Sequence, residues 1–200
     1  MIIVTGAPRS GTSLTMQVLR ACGARLGEVD GLCEPFRLKD EVVKPYLRQI
    51  GADPLGQRPL PKLKDIRADR TFGDRVRRAV GDATAFKTIK GVLVWPIFAE
   101  HFPDARWIIC HRSPADIAQS CLRVGFLTKY DSPKEWSTWA RAYHRRCAQL
   151  RESAQTMTIE PGRFIGGDFE QLREAVEWAG LDFNEDAVAA VIRPEKWGGR

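Results

Sequence analysis

The residues best equipped for chemistry stand at the start of the chain. Gly6-Ala7-Pro8-Arg9-Ser10-Gly11-Thr12-Ser13 follows the β-rich run Ile2-Ile3-Val4 and precedes a helix-like stretch. Its glycines let backbone N–H groups converge on an anion. The helix start adds orphan donors and the positive end of the macrodipole. Thr12 and Ser13 contribute hydroxyls, and Arg9 contributes a planar guanidinium suited to tetrahedral oxyanions. Charge-assisted bonds of this kind contribute roughly 1.5–3 kcal/mol each. The bland account is a strand–turn–helix with capping Ser and Thr. It is outweighed because Gly, Arg, Gly, Thr and Ser all stand where an anion needs them. Against the nucleoside-triphosphate pattern G-x-x-x-x-G-K-[ST], the glycines and Ser13 fit, but Thr12 occupies the lysine position. The loop is therefore expected to hold a different anion.

A second constellation begins at Arg112. It ends the apolar run Arg106-Trp107-Ile108-Ile109-Cys110, and Ser113-Pro114-Ala115-Asp116 then reads as a capped helix start. Asp116, Ser120 and Arg123 fall on one face of that helix, Ile117, Cys121 and Val124 on another. Arg112 would sit at the C-terminal edge of a sheet, where open α/β folds bind ligands. A Ser and an Arg on a common edge can grip one phosphate.

The elements that must position these groups alternate. Strands are expected at Ile2–Val4, Ala85–Ile89, Arg106–Cys110 and Arg163–Ile165. Helices are expected over Thr12–Ala24, Lys39–Ile50 (imperfect because of Pro45), Arg75–Val80, Val94–His101, 113–124, Lys134–Ala154 and Phe169–Ala179. Consecutive apolar residues in the strands suit a parallel sheet covered on both faces. Trp136, Trp139 and Tyr143 recur at helical spacing, a core stripe before an acceptor platform. The expectation is an α/β, three-layer fold like that of P-loop NTPases, with a central parallel sheet flanked by helices.

With 200 residues the chain is expected to form one domain over 1–200. Its 44% hydrophobic and 28% charged content excludes disorder, coiled coil and collagen. The longest apolar run, Gly91–Ala99, contains Pro96 and is too short to span a membrane. The five cysteines form no C-x-x-C pair. With no secretory signal visible, reduced thiols in the cytoplasm are the simplest expectation. The net charge is +6. Residues 37–80 hold twelve basic and six acidic side chains, an excess equal to that of the whole chain. Within them, 51–74 is rich in Pro and Gly and reads as a long basic surface loop or insertion.

The first motif resembles the 5′-phosphosulfate loop of sulfotransferases that use 3′-phosphoadenosine 5′-phosphosulfate, commonly G-x-P-R-S-G-T-[ST] in bacterial, phage and tyrosylprotein-type members. The segment Phe102–Asp116 leading into Ser120 resembles that family's 3′-phosphate site. Gly167–Leu172 more faintly resembles a late strand-to-helix segment of its core. The resemblance implies Pro8, Arg9, Ser10, Gly11, Thr12, Ser13, Arg112, Ser120 and Arg123 as cofactor-binding residues. Arg9 is implied at the leaving phosphate and the sulfuryl oxygens. Phe86-Lys87-Thr88-Ile89 resembles the cytosolic members' K-T-H segment, so Lys87 carries over as a catalytic cation. Ile89 cannot take a proton where their histidine does. Glu34, like the glutamate after the first helix in short phage-like members, is then the preferred base over Glu28. Its plain alternative is a solvated carboxylate or one paired with Arg37. His101, His111 and His144 are weaker. Trp197 in the C-terminal segment is a candidate for adenine stacking.

The implied reaction moves a sulfuryl group to a hydroxyl on a small molecule, carbohydrate or peptide, leaving adenosine 3′,5′-bisphosphate. No metal is required if protein cations carry the charge, and Asp168 is a weak candidate for magnesium. The competing readings are a P-loop kinase or NTPase with a degenerate loop, and a non-catalytic nucleotide or nucleic-acid binder. The basic segment lacks the aromatic interleaving that stacks on bases, which makes nucleic acid an unlikely partner.

Overall fold

The computed structural model describes residues 1–197. Four strands, β1 (Ile2–Gly6), β2 (Ala85–Lys87), β3 (Arg106–Cys110) and β4 (Thr156–Ile159), form one parallel sheet in the order β2-β1-β3-β4. Nine α-helical segments are described: α1 (Thr12–Ala21), α2 (Lys44–Gln49), α3 (Phe72–Val80), α4 (Trp95–His101), α5 (Pro114–Leu122), α6 (Pro133–Arg151), α7 (Pro161–Ile165), α8 (Glu170–Trp178) and α9 (Glu185–Val191).

The consecutive apolar residues of the strands divide by pleat. Ile3, Phe86, Trp107 and Ile109 enter one core with α2 to α6. Ile2, Val4, Ala85, Ile108, Cys110 and Ile159 enter a second with α1, α7, α8 and α9. A sheet buried on both faces leaves ligands only its edges and ends. β1 sits between β2 and β3, so the chain leaves β1 in one direction and returns on its other side. The loops after β1 and β3 therefore part at a switch point, opening a crevice at the C-terminal edge.

Three expectations need correction. Arg163–Ile165 is not a strand but the end of α7. Pro161 opens that helix, having no N–H to give a strand ladder, and Phe164 is buried from its helical face. The fourth strand lies earlier, at Thr156-Met157-Thr158-Ile159, so Gly167–Leu172 follows a helix rather than a strand. Lys39–Ile50 is not one regular helix: a π-helical turn at Leu38–Val43 precedes α2, with Pro45 in the first turn of α2, where its missing N–H is tolerated. Finally, β2 stops at Lys87, where Thr88 Oγ1 accepts from Gly91 N and turns the chain into a 3₁₀ segment, Lys90–Val94.

The basic segment before α3 has no strand or α-helix from 51 to 71, yet it is tied down. Trp139 Nε1 and Tyr143 Oη both donate to the Gly56 carbonyl, at 2.8 and 3.1 Å. Arg146 donates to the carbonyls of Leu93 and Pro61. The aromatic stripe of α6 is thus core, and its polar atoms pin the loop. No helix among the described residues is long and apolar enough to cross a membrane.

Candidate active site

After β1 the chain turns sharply. Arg9 has φ 71° and Gly11 φ 99°. A Cβ on Gly11 would stand 2.6 Å from Pro161 Cβ and 3.0 Å from Trp197 Cζ3. Both the turn and this close approach require glycine. α1 then begins at Thr12 with no capping side chain and no acidic residue in its first turn. By contrast, Ser113 and Ser132 cap α5 and α6. The first amides of α1 are therefore left for an outside acceptor, and an anion is the natural one. Ser10 Oγ lies enclosed with no hydrogen-bond partner among the described residues, and Ser10 does not line the cavity described below.

The two sequence blocks meet across this loop. Arg9 Nε donates to Ser120 Oγ at 2.9 Å, and an Arg112 Nη donates to the Arg9 carbonyl at 3.1 Å. Ser120 is buried. Burial pushes the Arg112 guanidinium below its ordinary range; Asp116 opposes this, while the neighbouring Arg9 and Arg123 charges add to it. Three cations gathered this way repel one another unless an anion lies between them. The indole of Trp197 covers Arg112 at 4.3 Å. Gly198, Gly199 and Arg200, the rest of the C-terminal segment, lie outside the described residues.

Lys87 approaches from the other side. In register with Val4, it points to the face that carries α1. Its Nζ donates to Ser13 Oγ at 3.0 Å and to the Leu32 carbonyl. Its side chain is 1% exposed. Burial lowers its pKa from 10.5, with the Glu34 and Asp30 charges resisting. A cation thus reaches the start of α1 from the neighbouring strand, although Thr12 holds the place where a triphosphate loop carries its own lysine.

Glu34 is buried at 6% exposure on a knitted turn. Asp30 Oδ1 accepts from the amides of Leu32 and Glu34, both at 2.9 Å, and Asp30 Oδ2 holds Lys39 at 2.7 Å. Cys33, just before Glu34, has φ 58°. Arg9 and Cys33 are the two non-glycine residues with positive φ among the described residues. Such strain costs about 1–3 kcal/mol per residue and gathers where geometry serves function. Arg37 pairs with the exposed Glu28 at 4.0 Å, not with Glu34.

These groups share one cavity of about 510 Å³ at the edge of the sheet. Pro8, Arg9, Gly11, Thr12, Ser13, Glu34, Lys87, Arg112 and Trp197 all line it. Ser120 stands behind Arg9, and Arg123 beyond the end of α5. Sequence reasoning missed Lys90, Gln57 and the apolar Leu32, Leu55, Phe126 and Leu127 in the same wall. Lys90, three residues past Lys87, was the one with a readable signal.

Other candidates fall elsewhere. His111 does not line the cavity; its ring stacks on His144 at 4.7 Å, with Nδ1 3.7 Å from Glu160. His101 Nε2 meets the Asp69 carbonyl at 2.9 Å, against Phe72. Asp168 is held by Arg163 at 2.6 Å on the turn after α7. Burial, and then His111, pushes His144 down to about 4 from 6.5. It is neutral in the fold, while the unfolded chain takes its proton near 6.5. Its contribution to stability is therefore complete above about pH 6.5 and is lost as pH falls toward 4. Melting curves from pH 7.5 to 4 should show this decline, and His144→Gln should flatten it; an unchanged slope in the variant refutes the assignment.

The family model for the sulfotransferase domain matches residues 1–196. Among curated proteins none matches. The sulfotransferase domain of the Synechococcus PCC 7002 olefin synthase superposes with a TM-score of 0.63 at 16% identity, over 96% of this chain and 77% of that one. The sulfotransferase STF9 from Mycobacterium avium superposes with a TM-score of 0.55 at 13% identity, over 95% of this chain and 66% of that one. At these identities the likeness concerns the fold.

Proposed function

The chain belongs to the sulfotransferase family, and from that premise we propose that it transfers a sulfuryl group from 3′-phosphoadenosine 5′-phosphosulfate to an acceptor hydroxyl. One observation carries the proposal: Arg9, Arg112, Lys87 and a buried carboxylate, Glu34, line one cavity at the switch point of the sheet. The residues fit such a donor. The start of α1 lacks a capping side chain, Gly11 keeps the loop free of a Cβ, and the cations stand in two groups, one on each side of the loop.

When bound, this donor supplies an activated sulfuryl group and a phosphate leaving group. In our reading, Gly11, Thr12, Ser13 and the first amides of α1 hold its 5′ end. Arg112, Arg9 and Ser120 hold the 3′-phosphate, with Arg123 adding charge nearby, and Trp197 offers a face to the adenine. The role expected of Arg9 at the leaving group passes to Lys87, because Arg9 is engaged with Ser120 while Lys87 Nζ lies against Ser13. Lys87 neutralises charge at the 5′ end, and Glu34 takes the proton of the acceptor hydroxyl. Five buried free thiols support a reducing compartment such as the cytoplasm.

Thermal shifts test this reading. At equal concentration, adenosine 3′,5′-bisphosphate should stabilise the protein more than ATP with magnesium or a short oligonucleotide does, and at 100-fold above its Kd it should add roughly 2.7 kcal/mol over the ligand-free protein. A flat response to the bisphosphate with a clear response to ATP refutes it. Arg112→Ala should weaken bisphosphate binding by about 10–100-fold, the worth of one charge-assisted hydrogen bond. Titration calorimetry showing less than a twofold change would remove Arg112 from the site.

A further inference from the structure

The large apolar side chains exposed among the described residues are Met1, Leu32, Leu55, Leu122 and Phe126. Three of them, Leu32, Leu55 and Phe126 at 51, 54 and 59% exposure, line the one cavity that holds Glu34 and Lys87. They come from three separate loops and only folding gathers them. Singly exposed apolar residues need no explanation, but a cluster at the mouth of a polar cavity marks a binding surface.

The cluster is held in place rather than loose. Leu32 N donates to Asp30 Oδ1 at 2.9 Å, and the Leu32 carbonyl receives Lys87. Asp53 accepts from the amides of Leu55, Gln57 and Arg58, at 2.8 to 3.0 Å. Gln57, itself buried, reaches across to the Phe126 carbonyl at 3.2 Å and latches the two loops together. Two of the lining cations are already neutralised, Lys39 by Asp30 at 2.7 Å and Lys44 by Asp40 at 2.6 Å. The mouth thus presents fixed apolar surface beside two paired lysines, while Arg9, Lys87, Lys90, Arg112 and Glu34 carry the remaining charge of the wall.

We infer that Leu32, Leu55, Phe126 and Leu127 form a collar for the non-reacting part of the acceptor, and that the acceptor is an uncharged alcohol with an apolar body. This rests on the sulfotransferase reading and goes beyond it by choosing among acceptor classes. A sugar or a charged peptide would meet greasy side chains with few partners for its polar groups, whereas an apolar body gains from covering them.

Calorimetric titration of the protein saturated with adenosine 3′,5′-bisphosphate tests the inference, with butan-1-ol to octan-1-ol as probes and glycerol as the polar control. Kd should fall about fourfold per added methylene. Phe126→Ser and Leu55→Ser, both at exposed positions, should each reduce that step to less than twofold while keeping the affinity for the bisphosphate. A Kd independent of chain length, a step unchanged in both variants, or glycerol binding as tightly as octan-1-ol overturns the inference. So does a dimer in light scattering that Phe126→Ser dissociates, since a second copy would then be what covers the collar. Loss of the bisphosphate response itself would strike the sulfotransferase reading; a normal bisphosphate response with a flat alcohol series strikes only the collar.

Discussion

Glu34→Gln is expected to slow transfer by about 10²–10⁴-fold, the usual worth of a positioned general base, while leaving stabilisation by adenosine 3′,5′-bisphosphate as in the parent protein. The amide keeps the size of the carboxylate and the backbone bonds of the turn, since Asp30 bonds to the Glu34 amide rather than to its side chain. Only the capacity to take a proton is lost. Glu34 is also the carboxylate that opposes the lowering of both Lys87 and Lys90. The two lysines should therefore lose their protons at lower pH in the variant, and the alkaline limb of any residual rate should move down. Transfer that survives within threefold of the parent removes Glu34 as the base. Among the lining side chains, Ile89 has no basic atom to take its place.

Lys87→Met should lower kcat by about 10²–10³-fold, as removal of one preorganised donor does elsewhere, and should not lower the melting temperature. Methionine follows the same buried path without a charge. Burial already disfavours the charged lysine, so the fold has little to lose. A variant as stable as the parent but nearly inactive would mean that Lys87 is kept for chemistry at a cost in stability. A variant that unfolds would instead make Lys87 a structural pin between Ser13 and Leu32. In the parent, the rate should decline with rising pH before 10.5, because the pKa of Lys87 lies below that of a free lysine and the useful form is the protonated one. An alkaline limb present in the parent and absent from the residual rate of Lys87→Met would assign the limb to Lys87.

Much of the site was legible because its parts are local. The loop Gly6–Ser13 needs only a strand before it and a helix after it, and eight consecutive residues declare both. Arg112 and the cap at Ser113 are equally local, and Ser113 Oγ accepts from Asp116 N at 3.1 Å as a capping box requires. The misplaced strand at Arg163–Ile165 shows the limit. Three residues flanked by charge and glycine suit a short strand or a helical turn, and Pro161 together with burial of Phe164 decided for the helix. The real edge strand, Thr156–Ile159, alternates polar and apolar residues and is only partly buried, so its signal was faint.

Legible in the chain alone were the fold class, the turn between the first strand and first helix, the arginine just after the third strand and the absence of a lysine from that turn. Each of these depends on residues within about one element of one another. How the cations divide depends on the folded chain. Arg9 turns to Ser120, 111 residues away, and Lys87 to Ser13, 74 residues away. The fold also decided that Glu34 is enclosed while Glu28 pairs with Arg37 outside, and that three exposed apolar side chains from distant loops meet at one mouth. The strand register and the pleat set these pairings, and both arise from burying two cores at once, which no short stretch of chain encodes.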